Sequence, residues 1–226
     1  MLLKRLANFH DPSSLASRMR RRRFAFFEAL ATELPFGARI LDIGGTPAFW
    51  RDIALVEKGR VRVTLLNIES YAAVHPDVEL VRGDARDMYC FRDQEFDALF
   101  SNSVIEHVGS MADQQRMASE IRRVAPRYFV QTPNRYFPLE PHFLLPLFQF
   151  YPRPLQIELV RRFSLGWMPR RPEYEDAERE VAQIRLMSGS EMLALFPSAT
   201  LYREKLCGLT KSLVAYAGWQ EPLASA

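Results

Sequence analysis

Arg39-Ile40-Leu41-Asp42-Ile43-Gly44-Gly45-Thr46-Pro47-Ala48-Phe49-Trp50 is the stretch whose reading decides the fold. Ile40, Leu41 and Ile43 form an apolar run too short for a helix, and Gly44-Gly45 stops it. Thr46 suits a helix N-cap, and Pro47 carries the fixed φ of a first helical position. Proline also pushes residue 46 toward the extended backbone that an N-cap uses. The stretch thus predicts a buried strand, a glycine turn and a helix that runs on through Phe49 to Lys58 and stops at Gly59. Glycines at a strand end let a ligand approach bare backbone, and Asp42 sets a negative charge beside that crevice. The same turn also occurs as plain packing in α/β proteins, so the later segments must decide.

Those segments keep a steady rhythm. Val61 to Ile68 reads as a second strand with Glu69 just beyond it, and Val78 to Val81 as a third, leading into Gly83-Asp84-Ala85-Arg86-Asp87-Met88. A fourth, Phe96 to Phe100, emerges at Ser101-Asn102 and is followed by Ser103-Val104-Ile105-Glu106-His107-Val108. Met111 to Val124 supplies a helix with Met117, Ile121 and Val124 on one side, and Tyr128 to Gln131 a fifth strand closing at Thr132-Pro133-Asn134. Short buried strands alternating with helices predict a mostly parallel, doubly wound α/β sheet with right-handed crossovers, Rossmann-like in architecture. In such a sheet ligands bind beyond the carboxyl ends of the strands, where an acid after the second strand can accept from ribose hydroxyls.

Asp42 and Gly44 match the opening of an Asp/Glu-x-Gly-x-Gly-x-Gly motif, and on these residues the chain resembles the class I S-adenosylmethionine-dependent methyltransferases. Thr46 and Ala48 stand where the second and third glycines would be, with Gly45 one place early. Glu106-His107-Val108 after the fourth strand resembles the small-molecule branch that includes ubiquinone-pathway enzymes. The Asn/Asp-Pro-Pro-aromatic signature of adenine-amino methyltransferases is missing there, which speaks against nucleic acid as acceptor. The resemblance covers residues 36–134 by motif and 188–217 by pattern. It implies S-adenosyl-L-methionine as cofactor, held by Asp42, Gly44, Gly45 and Thr46, by Glu69 at the ribose, by Asp84 and Ala85 at the adenine, and by Ser101 and Asn102. It further implies methyl transfer to a small or amphipathic, lipid-like acceptor, with oxygen as the expected nucleophile.

Acids that grip a cofactor cannot also take a proton from the acceptor. His107 can, because imidazole titrates near neutral pH, so it is the expected catalytic group, with a helix-capping or packed histidine as the plain alternative. Glu106, Asn134, Tyr136 and His142 are the expected acceptor-side residues. A Glu-His pair is a thin signal for a cation, since hard cations gather more oxygen ligands, and no metal is expected.

With 226 residues, 48% hydrophobic and 25% charged, the chain suits one well-buried domain. It divides into an N-terminal helical segment (1–35), a cofactor-binding half (36–134), an inserted cap (135–187) and a C-terminal helix with an antiparallel strand pair (188–226). A net charge of +3 permits an anionic partner without requiring one. Cys90 and Cys207 form neither a disulfide framework nor a metal cluster, and with no signal peptide evident a cytoplasmic setting is the default. Asp11-Pro12 is expected to open a helix to about Leu34, with Leu15, Met19, Phe26, Leu30 and Leu34 on one face. Arg18 and Arg20 through Arg23 crowd that helix; a solvated face is preferred over a phosphate, lipid or nucleic-acid patch.

The 135–187 segment is rich in aromatics and prolines, with helices expected around 155–163 and 174–184. It reads as a substrate cap, with Arg161, Arg162, Arg170 and Arg171 available for peripheral membrane contact and a secondary core as the plain alternative. Ser188-Gly189-Ser190-Glu191 has capping-box form, and Leu201 to Leu206 with Ser212 to Tyr216 are expected to close the sheet. Three rivals remain at this stage. A nicotinamide-dependent oxidoreductase would want a full Gly-x-Gly-x-x-Gly turn. A nucleic-acid methyltransferase would use the arginine cluster, and a non-catalytic protein would bind a membrane or partner.

Overall fold

The computed structural model describes residues 4, 11, 13–50, 53–69 and 77–220. At its centre is a seven-stranded sheet built from β1 (Ala38–Ile43), β2 (Val61–Asn67), β3 (Val78–Arg82), β4 (Ala98–Asn102), β5 (Tyr128–Pro133), β8 (Thr200–Leu206) and β9 (Leu209–Ala217). A short separate hairpin pairs β6 (Leu139–Glu140) with β7 (Leu145–Pro146). The sheet order is β3-β2-β1-β4-β5-β9-β8, parallel through β5 and antiparallel at β9 and β8. Only Arg39 of β1 is exposed, as befits a central strand covered on both faces.

The chain winds outward in opposite directions from β1, so a crevice opens at the carboxyl ends of β1 and β4. Register makes this concrete: Ile43 lies beside Leu66 of β2 and Ser101 of β4. Gly44, Asn67 and Asn102 therefore leave the sheet at one level.

Helices α1 (Leu15–Ala31), α2 (Pro47–Trp50) and α3 (Ala54–Glu57) cover one face through a core that includes Phe24, Phe27, Ile40, Trp50, Phe100 and Phe129. Helices α4 (Met111–Val124) and α7 (Gly189–Leu195) cover the other through Leu41, Ile43, Met117, Ile121, Met192 and Phe196. Both open with a reciprocal capping box, Ser110 with Asp113 and Ser188 with Glu191. The inserted segment carries α5 (Arg153–Arg162) and α6 (Tyr174–Ala182) and has its own small core, including Phe143, Phe148, Ile157 and Val181.

Several expectations need correction. The helix α1 begins at Leu15, with Ser14 Oγ accepting the Ser17 amide, and not at Asp11-Pro12; Pro12 lies outside the described residues. The helix after the glycine turn is two one-turn pieces, because Ile53 holds an extended backbone (φ −89°, ψ 122°) that cannot continue α2. The arginine run on α1 is not wholly a solvated face. Arg23 is buried, donating to Asn102 Oδ1 (2.5 Å), Gln131 Oε1 (2.8 Å) and Glu204 Oε2 (2.8 Å). Ser212 Oγ donates to the same Glu204 oxygen. The arginines of the insert are engaged locally: Arg161 and Arg162 with Glu158, Arg171 with Glu180, and Arg170 with the Arg161 carbonyl. Among the described residues no helix is long and apolar enough to cross a membrane.

Candidate functional site

At the end of β1 the backbone turns through Gly44, which has φ +75° and donates its amide to the Leu66 carbonyl (2.9 Å). Glycine is required twice. A Cβ at Gly44 would strike Val104, and one at Gly45 would fall on the Asp42 carboxylate. That carboxylate is 1% exposed and accepts the Trp50 indole Nε1–H at 2.6 Å. Burial raises its pKa to about 7, against the opposing pull of the Trp50 bond and the Arg20 charge.

Above the turn lies a cavity of about 360 Å³, lined in part by Asp42, Gly44, Gly45, Thr46 and Asn102. Arg20 and Phe24 of α1 close it from the side, and the Arg20 guanidinium lies 5.1 Å from the centre of the Phe49 ring. The sequence reading places Arg20 only in the arginine run and not at this site, because its helix precedes every motif and nothing in its spacing points to β1.

Asn67 ends β2 and donates to the Gly45 carbonyl at 3.4 Å, so the polar side chain facing the turn is two residues before Glu69. Glu69 is exposed beyond the strand end, beside residues 70–76, which lie outside the described set. Asp84 lines a different cavity, of about 330 Å³, with Gly83, Arg86 and Arg116. Its carboxylate is gripped by the Arg86 guanidinium at 2.6 to 3.0 Å, which lowers its pKa. The Ala85 side chain packs into the core, and Ser101 is fully buried with no hydrogen-bond partner for its Oγ.

A second cluster forms past β4. Ser103, at φ +57°, swings the chain into a single 3₁₀ turn, Ile105–His107. Glu106 points inward at 0% exposure. Its Oε2 accepts from Thr132 Oγ1 at 2.9 Å, whereas its Oε1 has no partner, and burial raises its pKa. The His107 ring stands edge-on to His142, centroids 4.8 Å apart. His107 keeps one side open to solvent, yet burial of the ring first and His142 second lower its pKa to about 4. An imidazole that weakly basic is a poor proton acceptor for a hydroxyl.

His142 is anchored differently. Its Nδ1 lies 2.6 Å from Glu140 Oε1, while Glu140 Oε2 accepts the backbone amides of His142 and Phe143. Burial works against protonation of His142, but the Glu140 bond and charge, with Glu106, prevail and raise its pKa. One ligand-capable atom each from Glu106, His107 and His142 lies within 4.8 Å of the others. Asn134 and Tyr136 are absent from this group. The Asn134 side chain donates to the Thr210 carbonyl, and Tyr136 is exposed, stacked on Phe150.

Residues 41–127 match the family model described as a methyltransferase domain. An uncharacterized protein of Mycobacterium tuberculosis, found in two strains, is 30% identical over 128 residues, covering 51% of this chain and 42% of that protein. The match thus spans less than half the length of these curated relatives. Among solved structures, a chain from the complex of the Haloferax volcanii Trm112 methyltransferase activator with a methyltransferase aligns with a TM-score of 0.51 and 15% identity, over 95% of this chain and 96% of that one. A structure from Rhodobacter sphaeroides described as a zinc-dependent alcohol dehydrogenase aligns with a TM-score of 0.54 and 12% identity, over 87% and 88%. Likeness at such identities is one of fold.

The family match takes in the β1 turn, and the resemblance implies S-adenosylmethionine as the cofactor held there. The residues at the β1 turn fit that cofactor. Gly44 and Gly45 present bare backbone to the cavity, and the buried Asp42 carboxylate lines it, where a cationic group would bring a compensating charge.

Proposed function

We propose that the protein transfers the methyl group of S-adenosylmethionine to a hydroxyl oxygen of a small or amphipathic acceptor. The observation that carries this reading is the cavity over Gly44-Gly45, which the buried acid Asp42 and the cation Arg20 both line. Opposite charges in one pocket suit the ammonium and carboxylate of an amino-acid end group. Asn67, with Glu69 beyond it, is the candidate for the ribose hydroxyls, and Asp84 with Ala85 for the adenine edge. Arg86 must then share or release Asp84 for that contact. When bound, the cofactor supplies an electrophilic methyl group on a sulfonium. The chain's own task is to hold the acceptor oxygen in line with it and keep competing water out.

The acceptor side is assigned to Glu106, His107 and His142, with His107 orienting the acceptor. The Glu106-His107-Val108 run supports the branch of small-molecule enzymes akin to those of the ubiquinone pathway. Beside Glu140, the inserted segment has a cavity of about 300 Å³ with Phe143, Phe148, Tyr151, Arg135 and Arg153 on its walls. Such a lining suits an acceptor with an apolar body and an acidic end.

Calorimetric titration with S-adenosylmethionine tests the cofactor half: micromolar binding is expected, weakened at least tenfold by Asp42→Ala. No binding to folded wild type would sink the proposal. Transfer of labelled methyl to hydroxylated aromatic acids tests the acceptor half, and label found on amines alone would refute the oxygen assignment.

A further inference from the structure

The Glu106 carboxylate is completely buried, and one of its two oxygens has no hydrogen-bond partner. A buried charge in that condition is strongly unfavourable unless something neutralises it. Two imidazoles stand at the same place, one from the turn after β4 and one from the inserted hairpin, with ligand-capable atoms of all three groups within 4.8 Å. We propose that Glu106, His107 and His142 bind one divalent transition-metal ion, with Glu140 as the outer carboxylate that orients His142.

The donor set selects the class of ion. Two imidazole nitrogens and one carboxylate oxygen suit zinc or a neighbouring first-row ion, whereas magnesium and calcium prefer all-oxygen shells. Zinc held at about 2.1 Å by each ligand needs ligand separations of about 3.3 Å. With His142 held by Glu140, the ligand-capable atoms, within 4.8 Å of one another, draw together chiefly by movement of the exposed His107 ring. His142 already has the partner such a ligand requires: Nδ1 is engaged by Glu140, which leaves Nε2 as the nitrogen available to an ion. Glu140 is itself fixed by two backbone amides, so the imidazole plane is set before any ion arrives. Thr132 holds the other Glu106 oxygen, and the Glu106 backbone carbonyl accepts from the Arg185 amide at 2.8 Å.

Three protein ligands leave at least one coordination position free. In the proposed reaction, on which this use of the site rests, an acceptor hydroxyl bound there would lose its proton more readily. Ion binding itself is independent of that reading.

The test uses the full chain, stripped with chelator and titrated with Co(II) and Zn(II). Visible absorption reports the cobalt environment, and S-adenosylmethionine calorimetry and thermal melting run in parallel. One equivalent of Co(II) with the intense bands of a four- or five-coordinate site is expected. Glu106→Gln and His142→Ala should abolish stoichiometric uptake, and Glu140→Gln should weaken it 10- to 100-fold. Absence of stoichiometric uptake by folded wild type would overturn the site, as would uptake unchanged in all three variants. Lost cofactor binding with retained cobalt uptake would refute the methyl-transfer reading and leave the metal site standing. Should Glu106→Gln fail to fold, the half-buried His142 gives the decisive variant.

Discussion

The glycine turn after β1 and the cluster after β4 are both built on a buried carboxylate, but they solve its burial in opposite ways. Asp42 takes its hydrogen bond and its close glycine contact from neighbours in sequence, Trp50 eight residues away and Gly45 three, with the Arg20 charge added from α1. Glu106 draws its surroundings from three separate places, Thr132 at the end of β5, His142 in the inserted hairpin and Arg185 before α7. A local solution travels with the motif. A distributed one exists only in the folded chain.

Four experiments can break or sharpen that contrast. The largest effect is expected at Arg23, which belongs to the frame beneath both clusters. Arg23→Met leaves Glu204 buried without its cation and should cost about 3–5 kcal/mol in urea unfolding. Glu204→Gln in the same chain should restore part of it.

Next comes Gly45→Ala, whose methyl collides with the Asp42 carboxylate. A loss of about 1–3 kcal/mol in stability is expected, with a tenfold or greater drop in calorimetric affinity for S-adenosylmethionine. Cobalt uptake should be untouched. Equal damage to both would mean the two clusters are one unit.

Asp42 gives a pH signature. Its folded pKa, about 7, lies above the unfolded value near 4, so the folded state holds a proton that the unfolded state has lost between those limits. Stability from this group therefore falls as pH rises from about 4 to about 7, by up to about 1.4 kcal/mol per unit, and levels off above. Melting curves of wild type against Asp42→Asn should converge at pH 4 and separate by pH 8, with Asp42→Asn the more stable. A parallel pair of curves would refute the buried-acid account. Binding of a cationic cofactor below pH 7 should also release a proton in wild type, seen as buffer-dependent heat, and release none in Asp42→Asn.

The smallest effect is expected at Tyr136, exposed and stacked on Phe150. Tyr136→Ser should shift stability by less than about 0.5 kcal/mol and leave cofactor and cobalt binding unchanged.

The sheet was readable because its signals are local. Apolar runs, the capping box at Ser188 and the turn residues Gly44 and Gly45 each act within a few positions. The helix after Thr46 was misread because the inward turn of Trp50 and the extended Ile53 are imposed by packing on Asp42 and the sheet. The buried role of Arg23 was hidden for a similar reason. In sequence it is one arginine in a run of four, and only the fold shows which one points inward. His142 carried no motif at all. Its partners Glu106 and His107 lie 35 or more positions away, and a hairpin of two-residue strands delivers it.

One consequence of the Arg23 ion pair concerns anyone who would work with less than the whole chain. Residues 41–127, the recognisable portion, include Asn102 but neither Arg23 nor Glu204, Gln131 nor Ser212. A fragment cut to the familiar outline would keep the keyhole and discard both the bolt and its housing. The same holds for transplanting the portion into another scaffold: the recipient would need to furnish a cation from one flank and an acid from the other. What resemblance delimits here is a reading frame for chemistry, and the self-supporting unit is larger.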